Sequence, residues 1–235
     1  MRHMLLILGA VAVLVVGGVA LYQWRGGPQP AAPAATAVKD AKPAAEAATP
    51  EEVAKTKAVQ ADDLVLGKAD APVTVFEYAS LTCPHCREFH EKMFPAIKTA
   101  YVDTGKVRFV MRDFPLDKAA LAAAMVARCA GPDRRFAMIS LFFNRQEGWA
   151  GSQDPISAMA KVAGLAGMSE ADVSACLKND TVQHAVLDQR LLAEKVFDVD
   201  ATPTFIINGT KHPGEQTLEE FKAIVDPLLA KSTTK

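Results

Sequence analysis

Two cysteines three positions apart, Cys83 and Cys86, stand in the run Cys83-Pro84-His85-Cys86. On a helix, positions i and i+3 share a face, so both sulfurs lie within one turn and a disulfide between them can close and open. Cys83 falls at the helix start, where unpaired backbone N–H groups and the helix dipole favour negative charge. A thiolate is stabilised there and its pKa falls, which makes Cys83 the reactive thiol. His85, as an imidazolium, would add to that stabilisation. Cys86, one turn deeper, is the resolving thiol of a mixed disulfide. Pro84 takes the first helical position, where a missing N–H costs nothing. The competing chemistry is half of a zinc site, with His90, four residues past Cys86, as a further ligand. Cys129 and Cys176 make no second C-x-x-C. Exchange is therefore the stronger reading, no metal is expected, and His90 is read as a solvated or half-buried helix residue.

The elements that must position these residues follow from local patterns. Residues 73–79 are β-branched and aromatic and read as a strand. Residues 83–101 read as a helix that Pro95 should kink or split. Residues 106–112 alternate polar and apolar and read as a second strand after a turn at Gly105. Residues 117–197 are rich in alanine and leucine and read as four or five helices, with breaks near Gly131-Pro132, Gly148 to Asp154, Gly167 and Asn179. A third strand precedes a hairpin turn at Asn208-Gly209, and a short fourth strand follows near Lys211. Thr217 and Glu220 form the capping-box pattern of a closing helix that ends near Ala230. The order is β–α–β, a helical block, then β–β–α: an α/β sheet with an all-helical insertion between its second and third strands.

The chain has 235 residues, half of them hydrophobic, with a net charge of −1. That excludes an electrostatic binder of nucleic acid, which needs a basic excess. Residues 4–22 carry no charged side chain and are flanked by Arg2 and by Trp24-Arg25. A run of about 20 apolar residues spans a bilayer, whereas a signal core is roughly 7–15. Residues 1–25 therefore read as a membrane anchor, with a cleaved signal peptide, cut near Gly18-Val19-Ala20, as the alternative. Residues 26–60 are dominated by alanine and proline at first and read as a flexible linker. The globular domain is expected over 61–231, with the helical insertion at about 117–197.

EYASLTCPHCREFH together with the later TPTFIING resembles the DsbA-like branch of the thioredoxin superfamily over about residues 62–230. The resemblance implies a thioredoxin-like fold and a cis bond before Pro203, facing the C-x-x-C. It implies that the backbone of Thr202 pairs with an extended substrate peptide, in the manner of strand addition. It also implies a buried acid at Glu77 that relays a proton to or from Cys86, against the plainer reading of a strand glutamate facing solvent. Thr202 departs from the valine of the best-known DsbA and is similar to the isomerases of the family.

The expected activity is a dithiol oxidase that introduces disulfides into reduced, unfolded exported proteins, with the Cys83–Cys86 disulfide as its redox group and no bound cofactor. By resemblance, a DsbB-type quinone-linked membrane oxidase regenerates that disulfide. The expected location is the bacterial inner membrane with the domain facing the periplasm, the oxidising side. The alternatives are a disulfide isomerase or reductase kept reduced by a membrane electron donor, and a non-catalytic binding module. In an oxidising compartment Cys129 and Cys176 form a structural disulfide worth about 4 kcal/mol in the chain-entropy account, or else remain two separate buried thiols.

Overall fold

The computed structural model describes residues 47–232. Five strands make one mixed sheet in the order β1-β3-β2-β4-β5. They are β1 (Leu64–Leu66), β2 (Val73–Ala79), β3 (Val107–Asp113), β4 (Thr204–Ile207) and β5 (Thr210–Pro213). β2 and β3 run parallel in the register Glu77↔Met111, and the other three pairings are antiparallel. β2 is central and buried on both faces. Val73 and Val75 face the main core, while Phe76 and Tyr78 face a second cluster with Val110 and Ile206. The β4–β5 turn is Asn208-Gly209, both at positive φ (45° and 89°), as a two-residue hairpin requires.

A helical run follows β2: α2 (Pro84–Glu88), a π-helical turn over Phe89–Met93, α3 (Phe94–Ile97), and a second π turn over Lys98–Val102. Pro95 does not split it. The wide turn before it is closed by Phe94 N–H donating to the Phe89 carbonyl, which absorbs the proline without a break. The insertion between β3 and β4 has six helices rather than four or five: α4 (Lys118–Cys129), α5 (Pro132–Asn144), α6 (Gln146–Ala150), α7 (Pro155–Leu165), α8 (Glu170–Leu177) and α9 (Asp180–Phe197). The extra one is α6, a five-residue segment too short to show a period. Cys129 and Cys176 are bonded, tying the end of α4 to α8. The closing helix α10 (Leu218–Ser232) starts at Thr217, whose hydroxyl accepts from Glu220 N–H while Glu220 accepts from Thr217 N–H.

Two elements depart from the sequence reading. β1 was not expected, and the segment expected as linker through residue 60 contains helix α1 (Pro50–Lys57). Thr49 and Glu52 close a capping box at its start, and Lys195 of α9 pairs with Glu52 at 2.8 Å. The helix belongs to the same compact unit as the rest of the domain. The anchor at 4–22 and the first part of the linker lie outside the described residues. Among the described residues no helix is long and apolar enough to cross a membrane.

Arg112, buried on β3, holds α1 in place. Its guanidinium donates to the Thr56 and Ala58 carbonyls at the helix C-terminus, to the Tyr78 hydroxyl and to Asp63 at 2.8 Å. Removing one partner of a buried ion pair strands the other charge, at about 3–5 kcal/mol. Arg112→Ala should lower the unfolding free energy by that amount in a urea titration, and adding Asp63→Ala should recover part of it.

Candidate active site

Cys83 is the N-cap of α2, with extended backbone angles (φ −78°, ψ 122°), and Pro84 follows at the first helical position. Both Cys83 and Cys86 are free thiols here, so the arrangement is that of the reduced protein. The Cys83 thiol is pulled down to about 5, chiefly by the hydrogen bond that the Cys86 thiol donates to its sulfur. Burial opposes this, while Thr202 and the backbone N–H groups of Cys86 and His85 add to it. Those two N–H groups are the unpaired donors of the helix N-terminus. Cys86 is fully buried and pushed well above the ordinary thiol value, first by burial and then by its neighbour's charge. One sulfur is thus made acidic and the other held protonated, the division of labour an attacking and a resolving thiol need.

Thr202 and Pro203 close the site from the start of β4, and the bond between them is cis. The Thr202 carbonyl accepts from the Cys83 thiol at 3.3 Å, which favours the protonated form. Its hydroxyl is buried with no settled partner and adds to the stabilisation of the thiolate once the proton has left. Glu77 is fully buried on β2, not facing solvent.

His85 turns outward from the site, and the Cys83 charge is a lesser cause of its raised pKa. Its ring is 71% exposed and Nδ1 bonds Glu215, from the loop before α10. That carboxylate raises the His85 pKa, and the imidazolium is not among the leading causes of the low Cys83 value. The hydrogen bond from the Cys86 thiol leads those causes. Glu215 reaches this position because Gly214 N–H donates to the Pro203 carbonyl, fastening its loop to the cis-proline turn. His85, Glu215 and Glu88 bring ligand atoms within 4.8 Å of one another, the cluster among the described residues that could hold a cation. His85 is exposed, the two carboxylates are half-buried, and all three already pair, Glu88 with Lys92 at 2.7 Å.

Three functional neighbours escape sequence reading. Glu215 is 130 residues from His85. His90, expected as solvated or half-buried, is half-buried, with its ring turned inward and bonded to Glu77. Gln146 opens α6 and is buried, donating at 2.9 Å to the carbonyls of both Leu81 and Cys83. It fastens the helical block to the turn that carries the reactive thiol. Only the Cys86–His90 spacing carried any local signal.

A family model described as thioredoxin matches residues 59–227. The chain belongs to the thioredoxin superfamily. Within it the chain is DsbA-like. A crystal structure of a variant of Wolbachia pipientis alpha-DsbA1 superposes with a TM-score of 0.71 at 29% identity, covering 77% of this chain and 98% of that one. BdbD from Bacillus subtilis gives 0.65 at 25% identity, covering 72% and 94%. A Rickettsia conorii protein whose name proposes it as a protein-disulfide oxidoreductase is 32% identical over 178 residues. That match takes in 75% of this chain and 64% of the relative, so the chain spans less than two thirds of the relative's length.

Two measurements check this geometry. Gln146→Leu strands the Leu81 carbonyl and removes one partner of the Cys83 carbonyl. It should cost about 1–3 kcal/mol in urea unfolding. The second is a pH dependence. A thiol at about 5 in the folded reduced protein and about 8.5 unfolded means that the unfolded chain binds more protons between those values. The stability of reduced protein relative to oxidised should therefore rise from about pH 5 to about pH 8.5 and be level below that window. Above it the raised Cys86 reverses the trend. Calorimetry of both forms at stepped pH reads this directly.

Proposed function

We propose that this protein is a thiol–disulfide exchange enzyme that introduces disulfides into reduced, unfolded exported proteins. The observation that carries the proposal is the split between the two thiols, Cys83 acidic at a helix start and Cys86 protonated beneath it. In the oxidised enzyme a substrate thiolate attacks the Cys83 sulfur. The Cys83–Cys86 bond breaks, and Cys86 leaves with the electron pair and takes a proton, from Glu77 in this proposal. The substrate's second thiolate then attacks the substrate sulfur of the mixed disulfide and Cys83 leaves. The substrate is oxidised by two electrons and the enzyme dithiol is the reduced product. A low pKa makes Cys83 a good leaving group and stabilises the reduced form, so it drives the reaction toward substrate oxidation. The backbone of Thr202 beside cis-Pro203 receives the substrate as an extended strand.

The proposal includes residues 4–22 as a tether that keeps the domain beside a DsbB-type quinone-linked oxidase in the bacterial inner membrane, on its periplasmic side, raising their effective concentration. The chain's likeness to DsbA proteins supports that partner. Thr202 favours a second reading, an isomerase or reductase fed with electrons from the membrane.

In-cell trapping separates the two. An oxidase holds Cys83–Cys86 largely as a disulfide at steady state, and an isomerase holds it reduced. Cys86→Ala should accumulate mixed disulfides with exported proteins at Cys83, and Cys83→Ser should abolish both trapping and turnover. A Cys83→Ser variant with full exchange activity would end the proposal.

A further inference from the structure

A groove of about 530 Å³ opens beside the reactive thiol, on the side of the helical block. Thr82 and Pro84, the residues before and after Cys83, line it together with Gln146 of α6. The Cys83 sulfur bonds the Thr202 carbonyl, and the Cys83 main-chain carbonyl bonds Gln146. The reactive residue is thus held between the turn at cis-Pro203 and the groove. The half-buried Ala119 and Ala150 give the groove short apolar walls. Two exposed carboxylates, Asp117 and Glu147, line the same groove. Thr82 donates to Asp117 Oδ2 at 2.6 Å, and Arg87 donates to Glu147 Oε1 at 2.6 Å. Thr82 and Arg87 bracket the Cys83–Cys86 tetrad, so both carboxylates sit at its edge. Asp117 is fixed as the N-cap of α4, with Oδ1 accepting from Ala120 N–H at 2.8 Å. Glu147 is 82% exposed, and an ion pair so open to water is weak enough to exchange partners. Arg87 and Lys118 adjoin these acids, but none of the described residues that line the groove is a cation.

We propose that this groove is a subsite for a lysine or arginine side chain flanking the reacting cysteine of a substrate, and that it selects substrate cysteines in basic surroundings. The inference rests on the exchange reading above and deepens it. In the mixed disulfide the substrate is tied covalently to Cys83, and an extended chain advances about 3.3 Å per residue. Residues one or two places from the substrate cysteine therefore come within reach of the groove that Thr82 and Pro84 line. A long basic side chain suits it. The methylene stem lies on Pro84, Ala119 and Ala150, and the charged head meets Asp117 and Glu147. An acidic side chain in the same place faces two like charges. Complementary charge of this kind acts chiefly on the rate of encounter and the choice of partner, and salt screens it.

The test uses the full chain, oxidised at Cys83–Cys86, and reduced synthetic peptides whose two cysteines are each flanked on both sides by lysine, glutamine or glutamate. Each rate constant for oxidation is divided by that of the same peptide with hydroxyethyl disulfide, a neutral oxidant. The division removes the effect of the flanking charge on the peptide's own thiols. At low salt the lysine peptide should react about tenfold faster than the glutamate peptide, with glutamine between them. At about 1 M salt, where the screening length is about 3 Å, the ratio should fall to about threefold or less. Glu147→Lys, at an exposed helix position, should bring the low-salt ratio to about one. Asp117→Asn keeps the helix cap and should lower the ratio about threefold. Equal rates for the three peptides with wild-type protein overturn the inference, a result that needs no variant to fold. So does a lysine preference that both variants retain in full, because it would then arise elsewhere on the surface. Oxidation of none of the peptides is a different result, and it removes the exchange reading together with this one.

Discussion

The site depends on how the Cys83 sulfur is solvated by protein in place of water. Burial alone would raise its pKa, as it does for Cys86 three residues on. The outcome is reversed by a short set of donors: the Cys86 thiol, the backbone N–H groups of His85 and Cys86, and the loop at Thr202. All of these exist only if a strand ends, a helix begins after a four-residue turn, and a distant turn closes over the junction. Charge-assisted hydrogen bonds of this kind are roughly twice as strong as neutral ones, which is how they outweigh desolvation.

The rest of the domain serves that junction. The central position of β2 fixes where the strand ends, and its pairing with β4 brings Thr202 and Pro203 across from Cys83. Gln146 ties the helical block to the carbonyl of the reactive residue itself. The ring cluster of Phe89, Phe94, Phe109 and Phe205 packs the helical run against the sheet. The Cys129–Cys176 bond lies within the insertion and bears on stability rather than on the site.

Local patterns were enough for the parts of this fold that have local causes. The C-x-x-C after a strand, the Asn208-Gly209 turn and the Thr217–Glu220 capping box are each recognisable from neighbouring residues. α1 carried the same kind of signature in Thr49 and Glu52, but it was hidden at the end of an alanine- and proline-rich tract. β1 is three residues long and has no period to detect. What stayed illegible were contacts made by tertiary packing. Nothing near His85 announces Glu215, and nothing near Cys83 announces Gln146. The charge of His85 was assigned to the thiolate alone, whereas in the fold the ring turns outward and its main partner is a carboxylate, with Cys83 a lesser influence. Glu77 and His90 were each visible as residues, but their pairing needs the sheet and the helix to be packed together.

The most direct measurement of the central claim is the ultraviolet absorbance of the Cys83 thiolate in reduced protein as a function of pH. The account predicts half-titration at about pH 5, with Cys86 still protonated throughout the neutral range. Half-titration at the ordinary thiol value of about 8.5 would contradict it. The helix start and the partner thiol would then not stabilise the charge, and the case for Cys83 as the reactive sulfur of an oxidising disulfide would fall.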